Sequence, residues 1–177
     1  YGGLYREVWL EATAESRLTD LFVYTPTLQE AVVQWTAELT PAAAAVRIRL
    51  ETTEGTLLAE QTAPAAETGK MQLSVPEAQP WDTEHPVLHH AVAELLNAAG
   101  QPIDRKQVTF GFRTAEFRAD GFYLNGKKTF LRGLNRHQSY PYIGYAAPES
   151  LQREDARILQ EELHCTAVRT SHYPQSQ

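Results

Sequence analysis

Two short apolar segments, each stopping abruptly in ionisable residues, constrain this chain more than anything else in it. They are Leu131-Arg-Gly-Leu-Asn-Arg-His-Gln138 and Ala167-Val-Arg-Thr-Ser-His-Tyr-Pro174. Between them lies an amphipathic stretch with Leu151, Ile158, Leu159 and Leu163 on one helical face, and Arg153, Glu154, Arg157, Gln160 and Glu161 mostly opposite. Pro148 suits a first helical turn and Glu149 complements the helix dipole there. The charges read as a solvated face. Strand, helix, strand with polar residues at both strand ends predicts the opening of a (β/α) barrel, whose sites gather at the C-terminal ends of the strands.

Upstream the pattern switches to period two. Val8, Leu10 and Ala12 alternate as in a half-buried strand. Residues 21–24, 31–39, 43–51, 57–59, 71–75, 87–96 and 107–113 read as about seven short strands, separated by turn signals such as Thr25-Pro26 and residues 97–100. On the third, Val46, Ile48 and Leu50 face inward and Arg47 and Arg49 outward. Short strands at regular spacing predict an antiparallel sandwich. Asn125-Gly126 is a hairpin turn signal just before the barrel-like part. Trp81, between strands, reads either as a sugar-stacking platform or as a plug at the end of the sandwich; the plug is favoured.

Charge and cysteine content narrow the function. The 177 residues carry a net charge of -6 with no basic run, which argues against nucleic acid. No apolar run is long enough to span a bilayer. Cys165 is the single cysteine, so no intrachain disulfide forms. Its apolar neighbours predict a buried thiol in a reducing compartment, here the cytoplasm. A start at Tyr1 inside an apparent strand, and an end at Gln177 just after one, read as an excised piece of a longer protein.

His137 and His172 each follow an expected barrel strand directly, so both imidazoles are expected to open into one bowl, with Arg136 and Arg169 beside them. Such a rim suits a hydroxyl-rich or anionic ligand. A metal site needs more ligands than these two histidines supply, so none is expected within these residues. Nor is there a supported Ser-His-Asp arrangement or a phosphate-cradling loop.

These residues resemble the glycoside hydrolase family 2 enzymes: β-galactosidases, β-glucuronidases and β-mannosidases. The match is carried by Arg132-Gly-Leu-Asn-Arg-His-Gln138 with Pro141 and Gly144, and by Ala167-Val-Arg-Thr-Ser-His-Tyr-Pro174. Gly3-Leu-Tyr-Arg-Glu-Val-Trp9, Gly111-Phe-Arg113 and Phe122-Tyr-Leu-Asn-Gly-Lys127 support it. The loop after Gln138 looks closer to the β-galactosidase branch. The sequence departs from the family at Gln138, usually Glu, and at Thr166, usually Asn.

The resemblance implies a mainly β chain in three parts. Residues 1–16 end a sugar-binding β-domain, 17–114 form an immunoglobulin-like antiparallel β-sandwich, and 115–177 begin a (β/α)8 TIM barrel with its first βαβ portion. It implies a retaining mechanism through two glutamates about 5 Å apart. Both would lie beyond Gln177, so no catalytic carboxylate is expected here and the piece alone is expected to be inactive. By the same resemblance His137 and His172 contact the sugar and its transition state, Arg169 orients the nucleophile, and Asn135 and Arg136 support the site. The expected ligand is a β-galactoside or related sugar, with no nucleic acid or membrane partner. Magnesium, held by later residues, and a homo-oligomer are expected of the full-length parent only. A β-glucuronidase or β-mannosidase is the alternative within the family. A non-catalytic carbohydrate-binding or scaffold module is the alternative outside it.

Overall fold

Alternating apolar residues build seven strands: β1 (Arg17–Thr27), β2 (Glu30–Glu38), β3 (Ala45–Thr52), β4 (Leu57–Pro64), β5 (Thr68–Ser74), β6 (His89–Leu96) and β7 (Pro102–Phe110). The computed structural model of the chain describes residues 4–172 and 175. These residues fall into two units. One comprises residues 12–119 and 123–128; the other comprises residues 120–122, everything from Thr129 onward and the segment before Ala12.

The first unit is the sandwich. Strands β1, β2 and β5 form one antiparallel sheet in the order β1-β2-β5, and the other four form a second in the order β4-β3-β6-β7. On β3, Val46, Ile48 and Leu50 are fully buried while Arg47 and Arg49 take the other face. Ala31, Val33, Trp35, Met71 and Leu73 meet them from the facing sheet, with Ala91, Ala93, Leu95 and Phe112 in the same core. Fully burying one such large side chain is worth about 1.5–3 kcal/mol, so this core is the main favourable term. The Leu18 N–H donates to Asp104 Oδ2 (2.6 Å) and Lys106 Nζ to the Thr19 carbonyl (2.8 Å), linking β1 to β7 across the two sheets. Gly69 is required beside Trp35, because a Cβ there would run into the indole.

Three short strands follow, β8 (Ala115–Arg118), β9 (Gly121–Leu124) and β10 (Lys127–Lys128), with β9 in the middle. Asn125 (φ 52°) and Gly126 (φ 75°) both sit in the left-handed region, as a two-residue type I′ hairpin turn demands. The returning strand ends at Lys128.

The second unit holds β11 (Gly133–Arg136), helix α1 (Glu149–Arg157), a π-helical turn (Ile158–Glu162) and β12 (Ala167–Thr170). Strands β11 and β12 pair in parallel, Gly133 opposite Ala167 through Arg136 opposite Thr170. A Cβ at position 133 would strike the Ala167 carbonyl, so glycine permits this close approach. Thr166 fastens the start of the ladder: its Oγ1 accepts the Arg132 N–H at 3.0 Å.

Three expectations are corrected. Residues 4–14 form no strand, and Val8, Trp9 and Leu10 are exposed. Alternation is not enough without a neighbouring backbone to pair with, and no strand among the described residues pairs there. The helix does not keep one apolar face to its end. Leu163 N–H reaches back five residues to the Ile158 carbonyl (3.0 Å), and this wider turn swings Leu163 out to 51% exposure. Cys165 is half-buried rather than buried, because His164 (φ 51°) turns the chain at the surface just before it.

Candidate active site

The parallel ladder delivers two imidazoles side by side. The Ser171 N–H donates to the Arg136 carbonyl (3.2 Å), and His172 and His137 are the residues that directly follow these two. Their ring centroids lie 5.7 Å apart at 63°, and both residues are exposed. His172 adopts φ 72°, an uncommon conformation for a residue other than glycine. It turns the chain away from β12 directly after the fully buried Ser171. Tyr173 and Pro174, which complete the motif, lie outside the described residues.

Side chains alternate across a strand, so Asn135 and Arg136 take opposite faces of β11. Asn135 stands opposite Arg169 in the register. Arg169 shares its face with Ser171, and its Nη1 donates to Ser171 Oγ at 3.4 Å. Arg136 goes the other way. Its Nε donates to Asp155 Oδ2 on α1 at 2.8 Å, its Nη2 stands in ion-pair contact with that oxygen at 2.7 Å, and the Tyr140 hydroxyl donates to the same oxygen. The expected rim of two arginines is therefore corrected to one, Arg169, with Arg136 fastened behind the strand. Burial works against the Arg136 charge, but its bonds to Asp155 and Tyr140 outweigh burial and raise its pKa. Burial, then the Asp155 carboxylate, raises the pKa of the Tyr140 phenol.

Gln138 is fully buried and uses both ends of its amide. Its Oε1 accepts from Arg136 Nη1 (3.2 Å) and its Nε2 donates to the Tyr145 carbonyl (3.1 Å). A glutamate here could accept from Arg136 but could not donate to Tyr145. Since Asp155 already supplies the counter-charge, the neutral amide fits this position. The same Tyr145 carbonyl accepts from Arg6 Nη1 at 3.0 Å.

Sequence reasoning missed Asp155 and Tyr140. A signal for Asp155 was present: it lies four residues after Leu151 and four before Leu159, a carboxylate inside the apolar stripe of the helix. The other helix carboxylates are committed on the solvated side, Glu149 to Arg153 and Glu154, Glu161 and Glu162 to Arg157. Trp81 is half-buried: the Arg113 guanidinium sits over its ring, 4.5 Å from the centroid, and its side chain fills the space that a Cβ at Gly111 would need. Among the described residues no group of three or more His, Cys, Asp or Glu could hold a metal ion. They therefore offer no ligand set that fits the magnesium the resemblance implies. No helix among them is long and apolar enough to cross a membrane.

What remains at the strand ends is two imidazoles, one guanidinium and one primary amide, a set of donors suited to hydroxyls and to a carboxylate. Residues 16–113 match the family described as glycosyl hydrolases family 2, and residues 115–177 match its TIM barrel domain. The chain is 37% identical over 185 residues to a beta-galactosidase of Thermoanaerobacter pseudethanolicus, covering 99% of this chain and 25% of that one. It is 57% identical over 97 residues to a beta-galactosidase of Thermoanaerobacterium thermosulfurigenes, covering 54% and 13%. Its fold matches the apo structure of Bacteroides uniformis beta-glucuronidase 3 with a TM-score of 0.84 at 28% identity, covering 99% and 22%. The chain spans a quarter or less of the length of each of these relatives.

Proposed function

The chain belongs to glycosyl hydrolase family 2, and on that premise we propose that it is part of a retaining hydrolase of terminal β-D-galactosides. In this reading residues 1–16 end a sugar-binding domain, 17–114 are the immunoglobulin-like sandwich and 115–177 open the catalytic barrel. The observation that carries the proposal is the His137–His172 pair, 5.7 Å between centroids at the ends of adjacent parallel strands. Imidazole N–H groups there donate to sugar hydroxyls, and such bonds strengthen as the oxocarbenium-like transition state forms. Arg169 offers a planar fork that holds a carboxylate in one orientation and keeps it ionised. Asn135, opposite it in register, adds an amide. The nucleophilic carboxylate and its acid/base partner belong to other residues of the full-length protein. Two relatives named beta-galactosidase support the galactoside, and the likeness to a beta-glucuronidase structure supports β-glucuronide as the second reading.

The test is turnover of aryl β-galactoside and aryl β-glucuronide by the full-length protein. The expected kcat/KM favours the galactoside by about 10²-fold or more. The reverse preference moves the assignment to the glucuronide, and no turnover of either removes it. In the same protein Arg169→Lys is expected to lower kcat about tenfold or more, a loss of about 1.4 kcal/mol of transition-state stabilisation. Unchanged kcat and KM would take Arg169 out of the reaction.

A further inference from the structure

We propose that Asp155 is a positioning residue for the His137–His172 pair, acting through Arg136 and Tyr140 without touching substrate. The role it serves rests on the proposed function, while the geometry stands by itself. One oxygen, Asp155 Oδ2, accepts from Arg136 Nε at 2.8 Å and from the Tyr140 hydroxyl, with Arg136 Nη2 in ion-pair contact at 2.7 Å. It thereby joins three segments: α1, the last residue of β11 and the loop that follows.

Arg136 is fixed from two directions. Its carbonyl accepts the Ser171 N–H (3.2 Å), which sets the spacing of the two strand ends. Its side chain is tied to the helix by Asp155. The histidines directly follow Arg136 and Ser171, so movement of Arg136 moves the pair. The loop root is tied down as well. Tyr140 and Gly144 exchange both backbone hydrogen bonds (3.0 and 2.9 Å), and Tyr140 reaches the same carboxylate oxygen as Arg136. Removing that carboxylate takes from the mostly buried Arg136 the ion pair that ties it to α1, and loosens strand end and loop together. A displacement of about 1 Å at a reacting centre can cost on the order of 10²-fold in rate.

The variants are Asp155→Asn, Tyr140→Phe and, as a control on the solvated side of the same helix, Glu154→Gln. The readout in this chain is the ring-proton NOE between His137 and His172, with their imidazole chemical shifts. Asp155→Asn should weaken the NOE and shift both rings, Tyr140→Phe should shift the rings by a smaller amount, and Glu154→Gln should leave them unchanged. In the full-length protein Asp155→Asn should lower kcat/KM about 10²-fold. An Asp155→Asn chain with intact β11 and β12 amide signals and unaltered rings overturns the proposal, as does a full-length variant with unchanged kcat and KM. If Asp155→Asn loses the β11 and β12 amide signals, Tyr140→Phe decides: unmoved rings in that variant overturn the proposal. Disturbed rings beside a full-length protein inactive on every glycoside would sink the enzymatic reading and leave the positioning role standing.

Discussion

The large side chains hidden most completely in the sandwich are Phe112, Ile48, Leu50, Leu95, Val33, Val46 and Val92; in the unit that contains β11 and β12 they are Gln138 and Ser171. The sandwich has two sheets to cover each other, so apolar burial both stabilises and specifies it. Two parallel strands and one helix cannot enclose such a core, and parallel sheets normally need cover on both faces. Leu134 and Val168 accordingly remain 51% and 47% exposed, and α1 contains no buried residue. Directional bonds around Arg136 set the geometry there instead. Within these 177 residues the sandwich is ordered by its core and the donor-bearing unit by hydrogen bonds; in the proposed full-length protein further barrel elements would cover Leu134 and Val168.

The largest expected effect sets the two kinds of order against each other. Phe112→Ala should cost about 3–5 kcal/mol in urea unfolding, because it empties a fully buried aromatic site. Leu134→Ala, at a half-exposed position, should cost less than about 1 kcal/mol. Comparable losses from both would mean that apolar packing orders the two units alike.

A smaller effect sharpens the comparison through pH. His89 is buried on β6, its ring 5.0 Å from Phe112 and 5.9 Å from Phe110. Burial lowers its pKa, Glu54 pulls it back in part, and His90 adds to the depression. The unfolded chain therefore binds a proton near pH 6.5 that the folded sandwich resists. More protons on the unfolded side mean that stability falls as pH drops below about 6.5, until folded His89 protonates too. Thermal unfolding between pH 7 and 5 should show this slope, and His89→Phe should flatten it. An identical slope in the variant would assign it to other groups.

Legibility followed the same division. The inward set Val46, Ile48 and Leu50 was readable because period-two alternation is what a two-sheet core selects. The hairpin at Asn125-Gly126 was readable because few other residue pairs take two left-handed positions. Val8, Leu10 and Ala12 misled because pairing is a property of neighbours and not of the segment. Leu163 misled because one π turn shifts the helical phase. His137 and His172 were found from their places at strand ends, and the structure brings them together. Arg136 was grouped with them by sequence adjacency, whereas adjacent strand residues face opposite ways. Asp155 was passed over because charged helix residues usually face solvent, and only its place between Leu151 and Leu159 set it apart.

The central claim is that His137 and His172 act as one unit, and a double-mutant cycle in the full-length protein tests it directly. Kinetics on an aryl β-galactoside would be measured for His137→Ala, His172→Ala and the pair. Each single change should cost about 10²-fold or more in kcat/KM, and the double should lie within about tenfold of the worse single, because residues acting together lose their contribution once. Single variants within about twofold of the parent, or losses that simply multiply in the double, would contradict the account.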